Sequence, residues 1–73
     1  MASERIGRTL KKLRKERWMT VEDVVRMLAK DSINIAVKTL YGWESAQAQP
    51  RAEVFLALCR IYGVTDLRVF NEG

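Results

Sequence analysis

The chain has 73 residues, 48% of them apolar and 30% charged, with 13 Lys and Arg against 9 Asp and Glu and a formal net charge of +4. That length supports one domain over residues 1–73, and the mixture is ordinary for a soluble globular protein. The longest unbroken apolar run, Val54 to Cys59, is six residues; a membrane span needs about 20, so no membrane partner is expected.

The first predicted helix runs from Glu4 to Arg17. Ile6, Leu10 and Leu13 fall at i, i+4 and i+7 and form its apolar stripe, and Ser3 stands as its N-cap. Thr20 opens the second helix and makes an approximate capping box with Asp23. Val21, Val24, Val25 and Leu28 supply one apolar face, and the helix ends near Ala29 or Lys30. Lys30 to Ile35 reads as a connector in which Asp31, Ser32 and Asn34 form the turn while Ile33 and Ile35 tuck inward.

Ala36 to Glu44 suits a third short helix, with Leu40 and Trp43 three apart. Gly42 weakens it by about 1 kcal/mol relative to Ala, so it needs a reason in packing or in a close backbone approach. Ser45 to Pro50 is polar and breaks the pattern. Pro50 fits at or just before the first turn of a fourth helix, whose buried stripe is Val54, Phe55, Leu58, Ile61 and Tyr62 and whose stop is Gly63. Val64, Leu67 and Phe70 are apolar, and Thr65 can cap a final short helix ending near Asn71. The expectation is an all-α bundle of five short helices with no strand.

Charge is uneven along the chain. Residues 1–17 hold seven basic and two acidic side chains, whereas residues 18–73 hold six basic and seven acidic ones. Two readings fit: attraction to a polyanion, most simply nucleic acid, or the solvated face of an amphipathic helix. Charge alone does not separate them.

The chain has no His and a single Cys. A disulfide framework, the usual zinc spacings and His-based catalysis are thereby excluded. Cys59 lies within the apolar stretch of the fourth helix and reads as a small core residue. Gly7, Gly42, Gly63 and Gly73 are isolated and make no phosphate loop, and nothing holds Asp31 and Glu44 together as a carboxylate pair. No enzyme activity, cofactor, metal or small-molecule ligand is expected. The N-terminus lacks the apolar core of a signal peptide, so the expected location is the cytoplasm.

The order helix, capped short helix, connector, short helix, polar loop, helix is that of a helix-turn-helix DNA-binding domain. Ile6-Gly7 with Leu10, Leu13 and Arg14, then Met19 to Val25, then Thr39 to Glu44 with Pro50 seven after Trp43, then Leu56 to Val64, resemble in register the Cro/repressor-type (XRE) family. The resemblance covers residues 4–70. The Trp43-Glu44 to Pro50 stretch and the end of the fourth helix also resemble small regulators of bacterial prophages and mobile elements.

The resemblance implies a lambda-repressor-like fold, with the helix-turn-helix formed by helices 2 and 3. It places the recognition helix 36–44 in the major groove, where Val37, Lys38, Thr39, Tyr41 and Gly42 meet base edges. It assigns phosphate contacts to Thr20 and Val21 at the start of helix 2 and to Ser45, Gln47, Gln49 and Arg51 after the recognition helix. Val21 stands where relatives carry Gln, so only backbone N–H groups donate there. Ala46 replaces a usual Gly, and Ala36 replaces a capping Ser or Thr, leaving Asn34 as the candidate cap. Arg14 and Glu44 occupy the positions of a structural ion pair. Trp18 stands where relatives often have Gly, and the connector is longer than the common turn.

These features imply a sequence-specific regulator of transcription, a repressor in the first instance, acting on double-stranded DNA as a homodimer. Val64, Leu67, Val69 and Phe70 supply either the self-association surface or the closure of the monomer core. Two rivals remain. One is a protein-interaction module of the same fold, an antitoxin or adaptor subunit, marked by an exposed apolar patch around Trp18 or Phe70. The other is a non-specific nucleic-acid binder led by the first helix, for which Lys38→Ala would matter little.

Overall fold

The apolar spacing of the sequence becomes four α-helices in a computed structural model that describes residues 2–71. They are α1 (Ala2–Glu16), α2 (Val21–Lys30), α3 (Val37–Glu44) and α4 (Ala52–Ile61), followed by a 3-10 helix, Leu67–Phe70. No strand occurs among the described residues. The expected fifth helix is thus a single 3-10 turn. Four residues cannot complete the i to i−4 bonding of an α-helix, and Asp66, not Thr65, caps it by accepting the N–H of Arg68.

Two boundaries also move. Helix α1 begins at Ala2, which puts Ser3 inside the first turn and not at the cap, and it ends at Glu16. Lys30 belongs to α2, so the connector comprises residues 31–36.

Each helix contributes one face to a common core. Leu10 and Leu13 of α1, Val21, Val24 and Leu28 of α2, Leu40 and Trp43 of α3, and Val54 and Leu58 of α4 are buried together with Tyr62 and Phe70. Each fully buried Leu or Val contributes roughly 1.5–3 kcal/mol. Helix α1 packs on α3 and on the 3-10 helix, and α2 packs on α3 and α4. Gly7 is the close-packing point of the first pair. A Cβ there would lie 2.6 Å from the Trp43 carbonyl oxygen and 2.8 Å from that of Glu44, so only glycine lets the helices approach this far.

Thr20 and Asp23 form a reciprocal capping box on α2: Thr20 Oγ1 accepts the Asp23 N–H at 3.1 Å, and Asp23 Oδ2 accepts the Thr20 N–H at 2.9 Å. Helix α3 has no side-chain cap, so Asn34 does not fill that role.

All four helices end in the same way. The residue after each C-cap adopts positive φ: Trp18 at 55°, Ser32 at 63°, Ala46 at 65° and Gly63 at 69°. The next N–H reaches back to the carbonyl five residues earlier, as from Met19 to Arg14, Ile33 to Leu28, Gln47 to Gly42 and Val64 to Cys59. This is the Schellman arrangement, and only α4 carries at this position the residue that adopts it without strain.

The connector is pinned at both ends. Ile33 and Ile35 pack on the core, and Asp31 Oδ2 accepts from Arg60 Nη2 of α4 at 2.8 Å. Of the C-terminal apolar residues, Phe70 is buried against Phe55 with ring centroids 4.9 Å apart, and Val64 and Val69 pack on the core. They close the monomer, and Leu67 alone of the four stays exposed.

Candidate nucleic-acid interface

Helix α3 is short, and the core holds it by its inner face. Leu40 is fully buried, Trp43 nearly so, and Glu44 is buried as part of an ion pair. The outer face therefore carries Lys38 and Tyr41, both exposed, with Thr39 and Gly42 half-buried beside them. Val37 packs against the core. Its side chain is half-buried, so only part of it remains on the outer side of the helix.

Arg14 of α1 holds the end of α3. Its Nε donates to Glu44 Oε2 at 2.7 Å and its Nη2 to Glu44 Oε1 at 3.0 Å, while Nη1 donates to the Met19 carbonyl at 2.9 Å. The bond to Glu44 raises the Arg14 pKa above its ordinary value, against the opposing effect of burial. With both charges satisfied internally, Glu44 presents no free negative charge to the outer surface.

An open groove of about 360 Å³ runs over the outer face of α3. It is lined by Lys38, Tyr41 and Gly42 of the helix, by Ser45 and Gln47 of the loop, by Glu44, and by Lys11 of α1. The structure thus brings together in one place residues expected to read bases and two of those expected to hold phosphates. Charge and composition do not distinguish Lys11 from the other N-terminal basic residues. The spacing of Gly7, Lys11 and Arg14 at i, i+4 and i+7 was the signal that places all three on the face of α1 toward α3.

The other loop residues go elsewhere. Gln49 and Arg51 line a second cleft of about 370 Å³ with the connector residues Asp31 to Ile35, and Arg51 Nη2 lies 3.3 Å from Glu53 Oε1. At the start of α2, the Thr20 side chain is exposed but the Val21 side chain is fully buried. Only the Val21 N–H can serve an anion, as expected for a helix N-terminus. Glu22 and Asp23 follow in the same turn, and Arg26 pairs with Asp23. The bonds from the Thr20 backbone and side chain hold the Asp23 carboxyl below its usual value.

Trp18 is 93% exposed and lies at the end of α1 in the left-handed region. Cys59 is buried, and burial pushes its thiol up, away from reactivity. Among the described residues, no group of three or more His, Cys, Asp or Glu is placed to hold a metal, and no helix is long and apolar enough to cross a membrane.

Residues 5–69 match a family model described as a helix-turn-helix domain. The chain belongs to the helix-turn-helix domain family. No curated protein and no solved structure matches it. The matched span of this helix-turn-helix domain runs from inside α1 to inside the 3-10 helix and takes in the groove over α3. A helix-turn-helix domain suggests DNA as the ligand.

Proposed function

We propose that this protein is a sequence-specific double-stranded DNA-binding regulator of transcription that represses by occupying its operator. In this reading α2 and α3 are the two motif helices, and α3 is the recognition helix in the major groove. Lys38, Thr39, Tyr41 and Gly42 face base edges. Lys38 has the chemistry to donate to guanine O6 and N7 or to a phosphate, and the Thr39 methyl suits a thymine methyl. Thr20, the Val21 N–H, Ser45 and Gln47 hold phosphates and set the register, with Gln49 and Arg51 at the far end of the loop. The activity is binding without catalysis, in the cytoplasm, and resembles that of small XRE-type regulators of prophages.

The observation that carries this reading is the two-sidedness of α3. Its inner face is locked by Leu40, Trp43 and the Arg14–Glu44 pair, while its outer face opens on a groove lined by Lys11 and Lys38. One eight-residue helix reads few base pairs, so a homodimer on two half-sites about one helical turn apart supplies the specificity.

Selection on random duplexes at about 150 mM salt, where the Debye length is roughly 8 Å, tests it. The expected result is a two-fold symmetric motif that is lost with Lys38→Ala. Weak, unenriched binding that disappears with added salt would leave only backbone attraction and would overturn the regulator reading.

A second reading, an antitoxin-like or adaptor module, draws on Trp18, which stands fully outward in a strained conformation. Phe70, the other marker of that reading, is buried. Failure of the DNA selection together with retention of a partner lost in Trp18→Ala would favour it.

A further inference from the structure

Gly7, Lys11 and Arg14 form one stripe on α1, and the two outer members are fixed against α3. Gly7 meets the Trp43 and Glu44 backbone, and Arg14 is locked onto the Glu44 carboxylate. Lys11, one turn from each, is thereby delivered to the groove beside Gly42, Tyr41 and Lys38. Lys12, its neighbour in sequence, shares an open cleft with Lys11 and Glu16 and lines another with Arg5 and Val69, but it does not line this groove.

The groove is electrostatically one-sided. Among the described residues, Glu44 is the only carboxylate lining it, and Arg14 neutralises that charge. Among the described residues, neither Lys11 nor Lys38 pairs with a carboxylate. The last carbonyls of α3 present the negative end of a helix dipole. An anion entering over the final turn therefore depends on a cation from outside the helix.

Gly42 floors this groove, and the fold does not require it. A Cβ at this position would find nothing nearer than the flexible Gln47 Oε1 at 4.0 Å. Alanine is the better helix former, so glycine here weakens α3 without any packing return inside the chain. The space it leaves faces outward, in the groove that Lys11 and Lys38 also line.

We infer that Lys11 and Gly42 together form a phosphodiester pocket beside the base-reading face of α3. In this arrangement Gly42 leaves the base-facing set: the strand backbone passes over it, Lys11 holds its phosphate, and Lys38, Thr39 and Tyr41 are left to the base edges. This rests on the DNA-binding reading and adds to it a direct contact from α1, outside the α2–α3 pair.

The test measures affinity by fluorescence anisotropy on the selected duplex and on a scrambled one, across a salt series, alongside thermal unfolding. Lys11→Gln lowers affinity about tenfold on both duplexes and reduces the salt slope by about one. Lys12→Gln, of equal charge change, lowers it about twofold. Gly42→Ala raises the melting temperature by roughly 4–8 °C and yet weakens binding about tenfold. Equal effects of Lys11→Gln and Lys12→Gln, wild-type affinity in Gly42→Ala, or a lower melting temperature in that variant would each overturn the pocket. A wild-type protein that binds neither duplex overturns the DNA-binding reading and the pocket with it. Wild-type binding with silent variants overturns the pocket alone.

Discussion

Arg14 and Glu44, thirty residues apart in the chain, face each other through two parallel hydrogen bonds of 2.7 and 3.0 Å in a buried setting. The remaining guanidinium nitrogen holds the Met19 carbonyl. One side chain therefore ties together α1, the turn into α2 and the end of α3. The orientation of the outer face of α3 follows from that tie.

Breaking this pair leaves a buried charge without a partner. Arg14→Met is expected to cost about 3–5 kcal/mol, a large share of the stability of a domain this small. The double variant Arg14→Met/Glu44→Leu should be more stable than Arg14→Met alone, because no unpaired carboxylate remains. Urea unfolding of the wild type and both variants checks the order.

Gly7 and Gly42 should respond to alanine with opposite signs. The Gly7 Cβ would press on the backbone carbonyls of Trp43 and Glu44, which cannot swing away as a side chain can. Gly7→Ala is expected to destabilise by about 1–3 kcal/mol through overpacking. Gly42→Ala meets open space and should stabilise. Paired thermal melts decide this.

Tyr62 is expected to make the fold sensitive to alkaline pH. It is fully buried, and its hydroxyl has no hydrogen-bond partner among the described residues. Burial, with a further push from the Glu44 charge, raises its pKa well above the ordinary value of 10.0. An unfolded tyrosine ionises near pH 10, while the folded one keeps its proton. Above about pH 10 the unfolded state thus binds fewer protons than the folded state, and stability falls as pH rises. Below that pH the contribution is intact. Tyr62→Phe should change stability at neutral pH by less than about 1 kcal/mol, since it removes an unpaired hydroxyl. It should also flatten the decline in melting temperature between roughly pH 10 and 11.

Three helix ends carry non-glycine residues in the left-handed region, and such a residue costs about 1 kcal/mol or more. Ala46→Gly and Trp18→Gly are expected to raise stability by roughly 0.5–1 kcal/mol each, the relief of strain being partly offset by the greater freedom of an unfolded glycine. Differential scanning calorimetry reads the gain. A loss of stability would show that the Trp18 side chain supports the fold despite its exposure.

Much of the architecture is local and so is readable from residues alone. Leu10 and Leu13, Val24 and Leu28, Leu40 and Trp43, and Val54 and Leu58 mark inner faces because helical periodicity is a property of neighbours in sequence. The same holds for Thr20 with Asp23, and for Gly63, where cap and stop chemistry acts within five residues. The pattern of Val64, Leu67 and Phe70 does not distinguish a longer helix from the Leu67–Phe70 turn, since apolar residues three apart fit a 3-10 turn as well as an α-helix.

What the residues alone left open depends on packing between helices. The sequence determined that the positive charge lies on α1; only the tertiary structure decided that Lys11, and not Lys12, shares a groove with Lys38. It likewise buried Val21, packed Val37 partly against the core, separated Ser45 and Gln47 from Gln49 and Arg51, and left Trp18 outside. The reason is geometric. A helix rotates about 100° per residue, so which side chain meets a partner is set by the interhelical contact. Here that contact is fixed by the missing Cβ of Gly7 and the two hydrogen bonds from Arg14 to Glu44.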